Sequence, residues 1–219
     1  ELINKIVGFN SHITVDPYES KIEMNQINQN LLEISKNLIF SNSGEAIIIK
    51  SDTSKGILLR GYKSNDFSSL EFFKNNNFLG NNKILSKNFI SIGKELSFTL
   101  DLEVGDKITL MSSVGLETII GNLPKQRTFL VASIFESGMA EFDNNIAFIN
   151  LKTLEEFFNL DDKDRNLEIY LNNPKNIKYQ KSLVQNNFPD EFIYSWSDMN
   201  SSLFSALKVE RNVMFIILS

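Results

Sequence analysis

The sequence predicts an α+β fold in which two strand–helix–strand halves form one mixed sheet and a β-rich insert separates them. Three observations support this prediction. A set of strand-like and helical segments lies near the start of the chain, and a second set of the same order and size lies near its end. Between them, roughly 80 residues have mostly β character. A chain of 219 residues is long enough for one large domain or two small ones.

The first half begins with a short strand over residues 12–15, which Asp16-Pro17 closes because proline cannot continue a central strand ladder. Residues 22–40 carry apolar side chains close to the 3.6-residue period of an amphipathic helix. Two β-rich runs, 46–49 and 56–62, flank a polar turn and predict a hairpin. The polar stretch that follows predicts an exposed connection with a short helix near residues 70–73.

The second half repeats this order. Residues 167–171 predict a strand, Asn173-Pro174 is a helix start signal, and the helix runs through Tyr179, Leu183 and Val184. A last strand is predicted over residues 192–196.

The insert reads mainly as strands near Ile90 and over the ranges 96–100, 107–111, 128–135 and 146–149. Residues 115–125 join two of these strands and exceed the usual hairpin connection of about 2–5 residues. Two interpretations of this apolar and polar mixture stay open. It is a protruding hairpin that grips a partner, or its apolar residues fold back on the insert.

Composition excludes several classes of function. The formal net charge is −5, and no stretch combines clustered Lys and Arg with aromatic residues, which argues against a nucleic-acid-binding surface. The chain has no cysteine, so thiol catalysis and cysteine-ligated zinc are excluded. The 18 phenylalanines are expected to fill the core.

Both ends of the chain have apolar, helix-like segments. Near the start, one helical face carries Leu2, Ile3, Ile6 and Val7. Residues 213–218 form an unbroken apolar run, which includes Met214 and Phe215 and is far shorter than the roughly 20 residues that span a bilayer. We expect this run to be the beginning of a membrane helix, and a buried terminal helix is the alternative.

Several ordered segments resemble one family, the LolC/LolE permeases of lipoprotein-releasing ABC transporters. They are residues 8–15 (GFNSHITV), 92–96 (IGKEL) with 102–108 (LEVGDKI), and 137–143 (SGMAEFD) with Phe148-Ile149. The end of the chain is similar to the segment through which that family re-enters the membrane, at Trp196, Asn200, Leu203-Phe204, Ala206-Leu207, Glu210 and Met214-Phe215. The resemblance covers nearly the whole chain and is carried by the joint order of weak motifs.

The resemblance implies the periplasmic domain of a permease in the inner membrane of a Gram-negative bacterium. In this fold a porter-like part, residues 1–82 and 163–199, is interrupted by a sabre-like β-rich insert at 83–162. Residues 200–219 would then be a connecting helix and the start of a membrane helix. Such a permease passes lipoprotein to a LolA-like periplasmic chaperone. Its partners would be a second LolC/LolE-like permease subunit, identical or not, and a cytoplasmic LolD-like ATPase that holds ATP and Mg. No cofactor is expected in this domain.

The resemblance also implies a chaperone-binding hook near residues 114–124 and an adjacent polar pad. The pad's Gln-Arg pair appears here as Gln126-Arg127, and a further basic pad position aligns with the uncharged Thr109. Arginine suits docking because its planar guanidinium can hold carboxylate or carbonyl groups in a bidentate manner. The expected chaperone-binding residues are Val114, Gly115, Leu116, Ile119, Ile120, Pro124, Lys125, Gln126 and Arg127. The membrane-proximal or lipoprotein-facing set is Leu2, Ile3, Ile6, Val7, Met214 and Phe215.

The sequence favours a non-enzymatic role. Ser91 with Lys94, and Ser205 with Lys208, have the Ser-x-x-Lys spacing of some acyl-enzymes but lack the companion motifs. Residues 161–164 are acidic but lack the glycine and distal glutamate of a calcium loop. His12, the one histidine, lies in an apolar strand and is expected to be structural. The functional alternatives are the ectodomain of a MacB- or FtsX-type permease and a separate soluble binding module.

Overall fold

The computed structural model describes residues 10–50, 53–70, 78–81, 86–118 and 121–199, with side chains for all of these except 113–118, 121–123 and 199. Within these ranges the strands are β1 (Ile13–Asp16), β2 (Ser35–Lys50), β3 (Thr53–Tyr62), β4 (Phe78–Gly80), β5 (Phe89–Gly93), β6 (Lys107–Thr118), β7 (Gly121–Phe135), β8 (Ile146–Asn150), β9 (Asn166–Leu171) and β10 (Phe192–Ser195). The helices are α1 (Gln29–Ile34), α2 (Ser64–Ser69), α3 (Lys94–Thr99), α4 (Ala140–Asn145), α5 (Leu151–Phe158), α6 (Ile177–Asn187) and α7 (Trp196–Met199). Short 3-10 turns lie at Met24–Gln26, Asp162–Asp164 and Pro174–Asn176.

Strand β2 belongs to both halves of the structure. Its first part pairs with β9, from Ser35 opposite Leu171 to Ser41 opposite Asn166. From Asn42 onward it pairs with β3 along one edge, and residues 46–49 pair with β6 along the other. With 16 residues, β2 is roughly 50 Å long at about 3.3 Å per residue.

The first layer is a four-stranded antiparallel sheet in the order β10-β1-β9-β2. Helices α1 and α6 pack on it, and their apolar side chains share one core with the inward residues of β1 and β9. Both β1 and β10 come from the ends of the described chain, so this sheet joins residues far apart in sequence. It fixes where the chain enters and leaves the domain.

Six strands form a closed ring next to this sheet. The neighbours around the ring are β2, β3, β8, β5, β7 and β6, and β6 pairs again with β2. The β3–β8 and β5–β7 pairs are parallel, and the other four pairs are antiparallel. Strand β4 adds to the end of β7. The structure therefore confirms a mixed α/β fold with a large mixed sheet.

The ring encloses its own hydrophobic core. Inward residues of its strands pack with Leu96 and Leu100 of α3 and with Leu154, Phe157 and Phe158 of α5. A third, smaller cluster is rich in aromatic residues and includes Tyr62, Phe67, Phe135, Phe148 and Tyr170. Among the described residues, no helix combines the length and the apolar character needed to cross a membrane.

The predicted helix over residues 22–40 is wrong in its larger part. Helix α1 ends at Ile34, where the Ser35 hydroxyl donates a hydrogen bond to the Leu31 carbonyl oxygen at 2.6 Å. Residues 35–50 then form β2, because strands β9, β3 and β6 supply backbone partners along it. The helical spacing of Leu38 and Ile39 was overridden by this long-range pairing, as tertiary context often overrides local propensity.

The predicted strand over residues 96–100 is also wrong, because this segment lies mostly in helix α3. Apolar residues at alternate positions suggested a strand. The helix instead buries Leu96 and Leu100, four residues apart on one face, and leaves Phe98 exposed at 68%. Trp196, placed in the last strand by the sequence, begins helix α7. The short helix predicted near residues 70–73 falls largely outside the described residues.

The other predicted elements are present. The 46–62 hairpin is β2–β3, and the second strand–helix–strand set is β9, α6 and β10. The boundaries proposed at residues 82/83, 162/163 and 199/200, and the porter-like and sabre-like names, stay predictions.

A buried carboxylate lies where β2 passes from the sheet to the ring. The Glu168 carboxylate accepts hydrogen bonds from the Ser41 hydroxyl at 2.5 Å, Arg60 Nη2 at 3.0 Å, and the Tyr62 and Tyr170 hydroxyls at 2.9 and 2.8 Å. Burial raises the pKa of both tyrosines well above the ordinary value, so both phenols keep their protons and donate. We call these five residues the Glu168 cluster. It joins β2, β3 and β9.

A second buried carboxylate is held by the next residue along β2. Glu155 of α5 accepts two hydrogen bonds from Arg165, at 2.6 and 2.9 Å, and one from Asn42 at 3.3 Å. Asn42 follows Ser41 in β2, so adjacent residues of one strand hold the two buried carboxylates. The ring, helix α5 and the sheet are thereby joined at one point.

The C-terminal exit of the domain is held by Asp198. Its carboxylate lies 2.7 Å from the Lys181 ammonium and accepts hydrogen bonds from the Ser195 amide and hydroxyl at 2.8 and 2.7 Å. Burial alone would raise the pKa of Asp198, but these donors outweigh burial and lower the pKa from 3.8 to about 2. Asp198 therefore ties α6 to the end of β10.

We expect Glu168→Gln to destabilise the protein by about 3–5 kcal/mol, because it leaves the buried Arg60 guanidinium without its carboxylate. Urea denaturation measures the change in the free energy of unfolding. The exposed Glu45→Gln is the control and should change this free energy by less than about 0.5 kcal/mol. A Glu168→Gln variant as stable as this control would contradict the role assigned to the cluster.

The Asp198 contacts predict a specific dependence of stability on pH. The pKa of Asp198 is lower in the folded protein than in the unfolded chain. The stabilisation that its ionised carboxylate provides is therefore fully present above about pH 4 and is lost as the pH falls towards 2. The difference in Tm between the wild type and Asp198→Asn should therefore shrink over this range. Calorimetry at several pH values measures it, and a difference that stays constant would disprove the assignment.

Candidate partner-binding site

A two-stranded ribbon extends from the ring and contains the residues predicted to bind a chaperone. Strands β6 and β7 pair from Lys107 opposite Leu130 to Thr118 opposite Gly121. The base of this pair belongs to the ring, since residues 109–112 of β6 also pair with β2. We call residues 113–118 and 121–124 the ribbon. Within the described pairings, its two strands have only each other as neighbours.

A bulge marks the point where the ribbon leaves the ring. Met111 lies opposite Gln126, and the next pair in register is Gly115 opposite Pro124. Strand β6 therefore carries two more residues than β7 over this interval. A bulge bends a strand and increases its twist, so it redirects the ribbon away from β2. Pro124 is tolerated there because the ribbon is not a central part of the sheet.

The ribbon differs from the long connection expected between two strands. The strands themselves continue to Thr118 and Gly121, so that only residues 119 and 120 lie between them. Of the predicted hook, Val114, Gly115 and Leu116 lie on β6, and the register places Leu116 opposite Leu123. Ile119 and Ile120 lie outside the described residues, as do Leu2, Ile3, Ile6, Val7, Met214 and Phe215.

Two basic residues attach the base of the ribbon to helix α5. The Lys125 ammonium donates hydrogen bonds to the Glu156 carbonyl oxygen at 2.7 Å and to Asn159 Oδ1 at 2.6 Å. Both acceptors lie at the C-terminal end of α5, where the helix dipole favours a cation.

Arg127 continues this attachment. Its guanidinium donates to Asn88 Oδ1 at 3.0 Å through Nη2 and to Glu156 Oε2 at 3.3 Å through Nη1, and it lies 5.7 Å from the Phe129 ring centroid. The hydrogen bond from Arg127 lowers the pKa of Glu156. Arg127 thus has partners within the chain.

The opposite face of the same strands is open to solvent. Successive residues of a strand point to opposite faces, so Gln126 and Thr128 face away from Lys125 and Arg127. Both are exposed, and the half-buried Thr109 lies opposite Thr128 in the register. The Gln126 amide nitrogen lies 3.8 Å from the Met111 sulfur. The pair predicted to act together in a pad, Gln126 and Arg127, is divided between the two faces.

Of the residues weighed for catalysis, His12, Ser91 and Lys94 make structural contacts, and Ser205 and Lys208 lie outside the described residues. His12 Nδ1 accepts the Leu171 amide proton at 2.7 Å, and the Ser91 hydroxyl accepts a hydrogen bond from Ser133 at 2.8 Å inside the ring. Lys94 forms an ion pair with Glu136 at 3.1 Å. Within the described residues, no group of three or more His, Asp or Glu side chains is placed to hold a metal ion.

The sequence did not predict the two buried carboxylates, Glu155 and Glu168. A signal was present, because Arg60 and Glu168 each interrupt an apolar run that forms a strand. Charged residues are rarely buried without a partner, so two such interruptions of opposite charge could have been paired. No sequence pattern indicated which strands would bring them together.

The fold is similar to that of the periplasmic region of MacB. The periplasmic region of MacB from Actinobacillus actinomycetemcomitans superposes with a TM-score of 0.52 at 11% sequence identity, covering 90% of this chain and 95% of that one. Identity at this level shows a shared fold and nothing further.

In sequence, the chain is similar to LolC, the transmembrane protein of the lipoprotein-releasing system, which confirms the expected resemblance. The LolC protein of Xylella fastidiosa strain 9a5c is 28% identical over 146 residues, covering 59% of this chain and 32% of that protein. The LolC protein of Buchnera aphidicola is 25% identical over 218 residues, covering 97% of this chain and 53% of that protein. The chain thus spans about a third to about half of these relatives. No family model matches it.

We expect Arg127→Glu to lower the Tm by roughly 2–4 °C, because it replaces an ion pair with Glu156 by two adjacent carboxylates. The double variant Arg127→Glu, Glu156→Arg should recover most of this loss by restoring opposite charges. Thermal unfolding measures both changes, and Lys163→Glu on an exposed turn is the control. A double variant no more stable than the single one would show that the pair does not hold the ribbon base.

Proposed function

We propose that the chain is the extracytoplasmic domain of an ABC permease that extracts lipoproteins from the inner membrane and delivers them to a LolA-like periplasmic chaperone. The main support for this proposal is the β6–β7 ribbon. It projects beyond the ring on a base fixed by Lys125 and Arg127, which is the form expected of a docking element. The similarity to LolC supports the choice of cargo and direction.

In this proposal the domain does not catalyse a reaction. It acts in the periplasm of a Gram-negative bacterium as a docking surface and an arm that transmits motion. ATP and Mg bind to a separate LolD-like ATPase in the cytoplasm, and a second LolC/LolE-like permease subunit, identical or not, completes the transporter. The periplasmic origin of the MacB domain supports the location, and the relatives' designation as transmembrane proteins supports the membrane attachment.

The ribbon residues have suitable chemistry for holding a partner. The sequence places apolar Leu116 and Leu123 opposite each other near its end, and Gly115 opposite Pro124 near its base. At the base, the outward polar face formed by Thr109, Gln126 and Thr128 is available to a bound protein. We propose that Gln126 contacts the chaperone directly, whereas Arg127 and Lys125 act by holding the ribbon.

A MacB- or FtsX-type permease ectodomain is the second candidate, in efflux or in the activation of a cell-wall hydrolase. The fold likeness to the periplasmic region of MacB favours it. The two candidates differ in the partner that the ribbon contacts, so a direct binding assay separates them.

We expect the chain to bind a purified LolA-type chaperone, and replacing residues 115–123 by a two-residue Asn-Gly turn should weaken binding by at least about tenfold. Biolayer interferometry measures the dissociation constant, and an unchanged Tm shows that the ring is intact. Replacing Ser51 and Asp52, which lie between β2 and β3, by Asn-Gly is the matched control. Undiminished binding by the shortened ribbon would remove the reason for preferring transfer to a chaperone.

The charge exchange at Arg127 separates direct contact from positioning. If Arg127 holds the ribbon, Arg127→Glu weakens binding and the double variant with Glu156→Arg restores it. Gln126→Glu, on the outward face, should weaken binding with no change in Tm. A double variant that regains stability but not binding would instead assign Arg127 to the interface.

A further inference from the structure

A groove of about 940 Å³ lies on the ring at a distance from the ribbon. It is lined by β4, α3, the 101–104 segment and the C-terminal end of β7. Gly121 of the ribbon and Ile134 of the groove are thirteen residues apart on β7, which is roughly 40 Å along an extended strand. The volume is within the range of known binding clefts, about 300–1,000 Å³. The groove and the ribbon are therefore separate surfaces.

The groove has a buried floor and exposed apolar walls. Leu102, Ile134 and Phe135 form the floor and are buried. In the walls, Phe98 is 68% exposed and Leu79 is 64% exposed. Val104 lies beside them and is also exposed. Single exposed apolar residues are common, but several that converge on one preformed cleft indicate an interaction surface.

The lining of the groove has an excess of negative charge. It contains one cation, Lys94, and three carboxylates, Asp101, Glu103 and Glu136. Lys94 is paired with Glu136 at 3.1 Å. The nearby Lys50 donates to the Asp101 carbonyl oxygen and pairs with Asp106 at 3.3 Å. Asp101 and Glu103 therefore give the rim a net negative potential.

We propose that this groove binds an extended segment of a partner protein in which an aromatic or aliphatic side chain lies between lysine or arginine residues. The apolar side chain packs between Phe98, Leu79 and Val104, and the flanking cations face Asp101 and Glu103. Charge complementarity decides this choice of occupant, because the carboxylates would repel an anionic lipid headgroup or an acidic peptide. The proposal does not depend on what the ribbon binds.

The test uses the full chain and two fluorescein-labelled peptides, Gly-Lys-Phe-Lys-Leu-Lys-Gly and its charge-inverted form Gly-Glu-Phe-Glu-Leu-Glu-Gly. Fluorescence anisotropy at low salt should give a dissociation constant at least about tenfold lower for the basic peptide, and added salt should reduce the difference. Equal binding of the two peptides, or binding of neither, would overturn the proposal.

Matched variants locate the site. Phe98→Ser should weaken binding of the basic peptide by about tenfold or more, because it removes the most exposed apolar wall. Phe192→Ser, an exposed aromatic residue on β10, is the control and should have no effect. Glu103→Lys should weaken binding of the basic peptide, whereas Glu19→Lys on a distant exposed turn should not. If Phe98→Ser and Phe192→Ser weaken peptide binding equally, or if Glu103→Lys and Glu19→Lys do, the peptide does not bind in the groove.

Two further measurements test other occupants. A fluorescent fatty acid that binds in the groove while neither peptide does would overturn the proposal in favour of an acyl chain. Sedimentation that shows self-association, abolished by Phe98→Ser, would overturn it in favour of a second copy of the chain. The proposal is supported if the wild-type chain is a monomer that binds the basic peptide more tightly, and if Phe98→Ser abolishes this binding.

Discussion

The architecture depends on one buried carboxylate, that of Glu168, whose oxygens accept hydrogen bonds from side chains on three strands. A buried carboxylate is tolerated only when hydrogen-bond donors surround it. Here the donors are Ser41 of β2, Arg60 and Tyr62 of β3, and Tyr170, two residues further along β9. The strands must therefore keep one arrangement in which Ser41 still lies in the sheet while Asn42 already pairs within the ring. The apolar cores on either side tolerate some repacking, whereas this contact set does not.

Helix α5 links β2 to the base of the ribbon. Glu155 of α5 is held by Arg165 and by Asn42 of β2. The next residue of α5, Glu156, holds Lys125 and Arg127 at the ribbon base. On the side of the Glu168 cluster, Arg60 Nη1 donates a hydrogen bond to Asn10 Oδ1 at 3.4 Å. Asn10 is the first described residue of the domain. Through the adjacent residues Ser41 and Asn42 of β2, and Glu155 and Glu156 of α5, these contacts connect Asn10 with the base of the ribbon.

The fold class, the hairpin and the second strand–helix–strand set were predictable, because apolar periodicity and turn residues indicate them locally. The strand over residues 35–41 was not predictable, since the backbone partners that make it a strand come from residues 166–171. Phe98 misled the reading of α3 because an exposed aromatic residue completed a false alternation. Among the candidate site residues, position in sequence suggested that Gln126 and Arg127 act together, although strand geometry separates them. No sequence pattern predicted the groove, because its lining residues come from four separate segments of the chain.

The first sheet has a consequence for how the protein reaches its native state. Strand β1 near the start of the chain pairs with β9 and β10, so that Ile13 contacts Ile169 and Ser195. The six strands of the ring, by contrast, come from a continuous stretch that ends at Asn150. During synthesis or translocation, the ring can close while the end of the chain is still emerging. Strand β1 stays unpaired until β9 and β10 are available. Loop-closure entropy makes this late, long-range pairing slow, so the terminal strands are the part most exposed to mispairing and to proteolysis in the nascent chain.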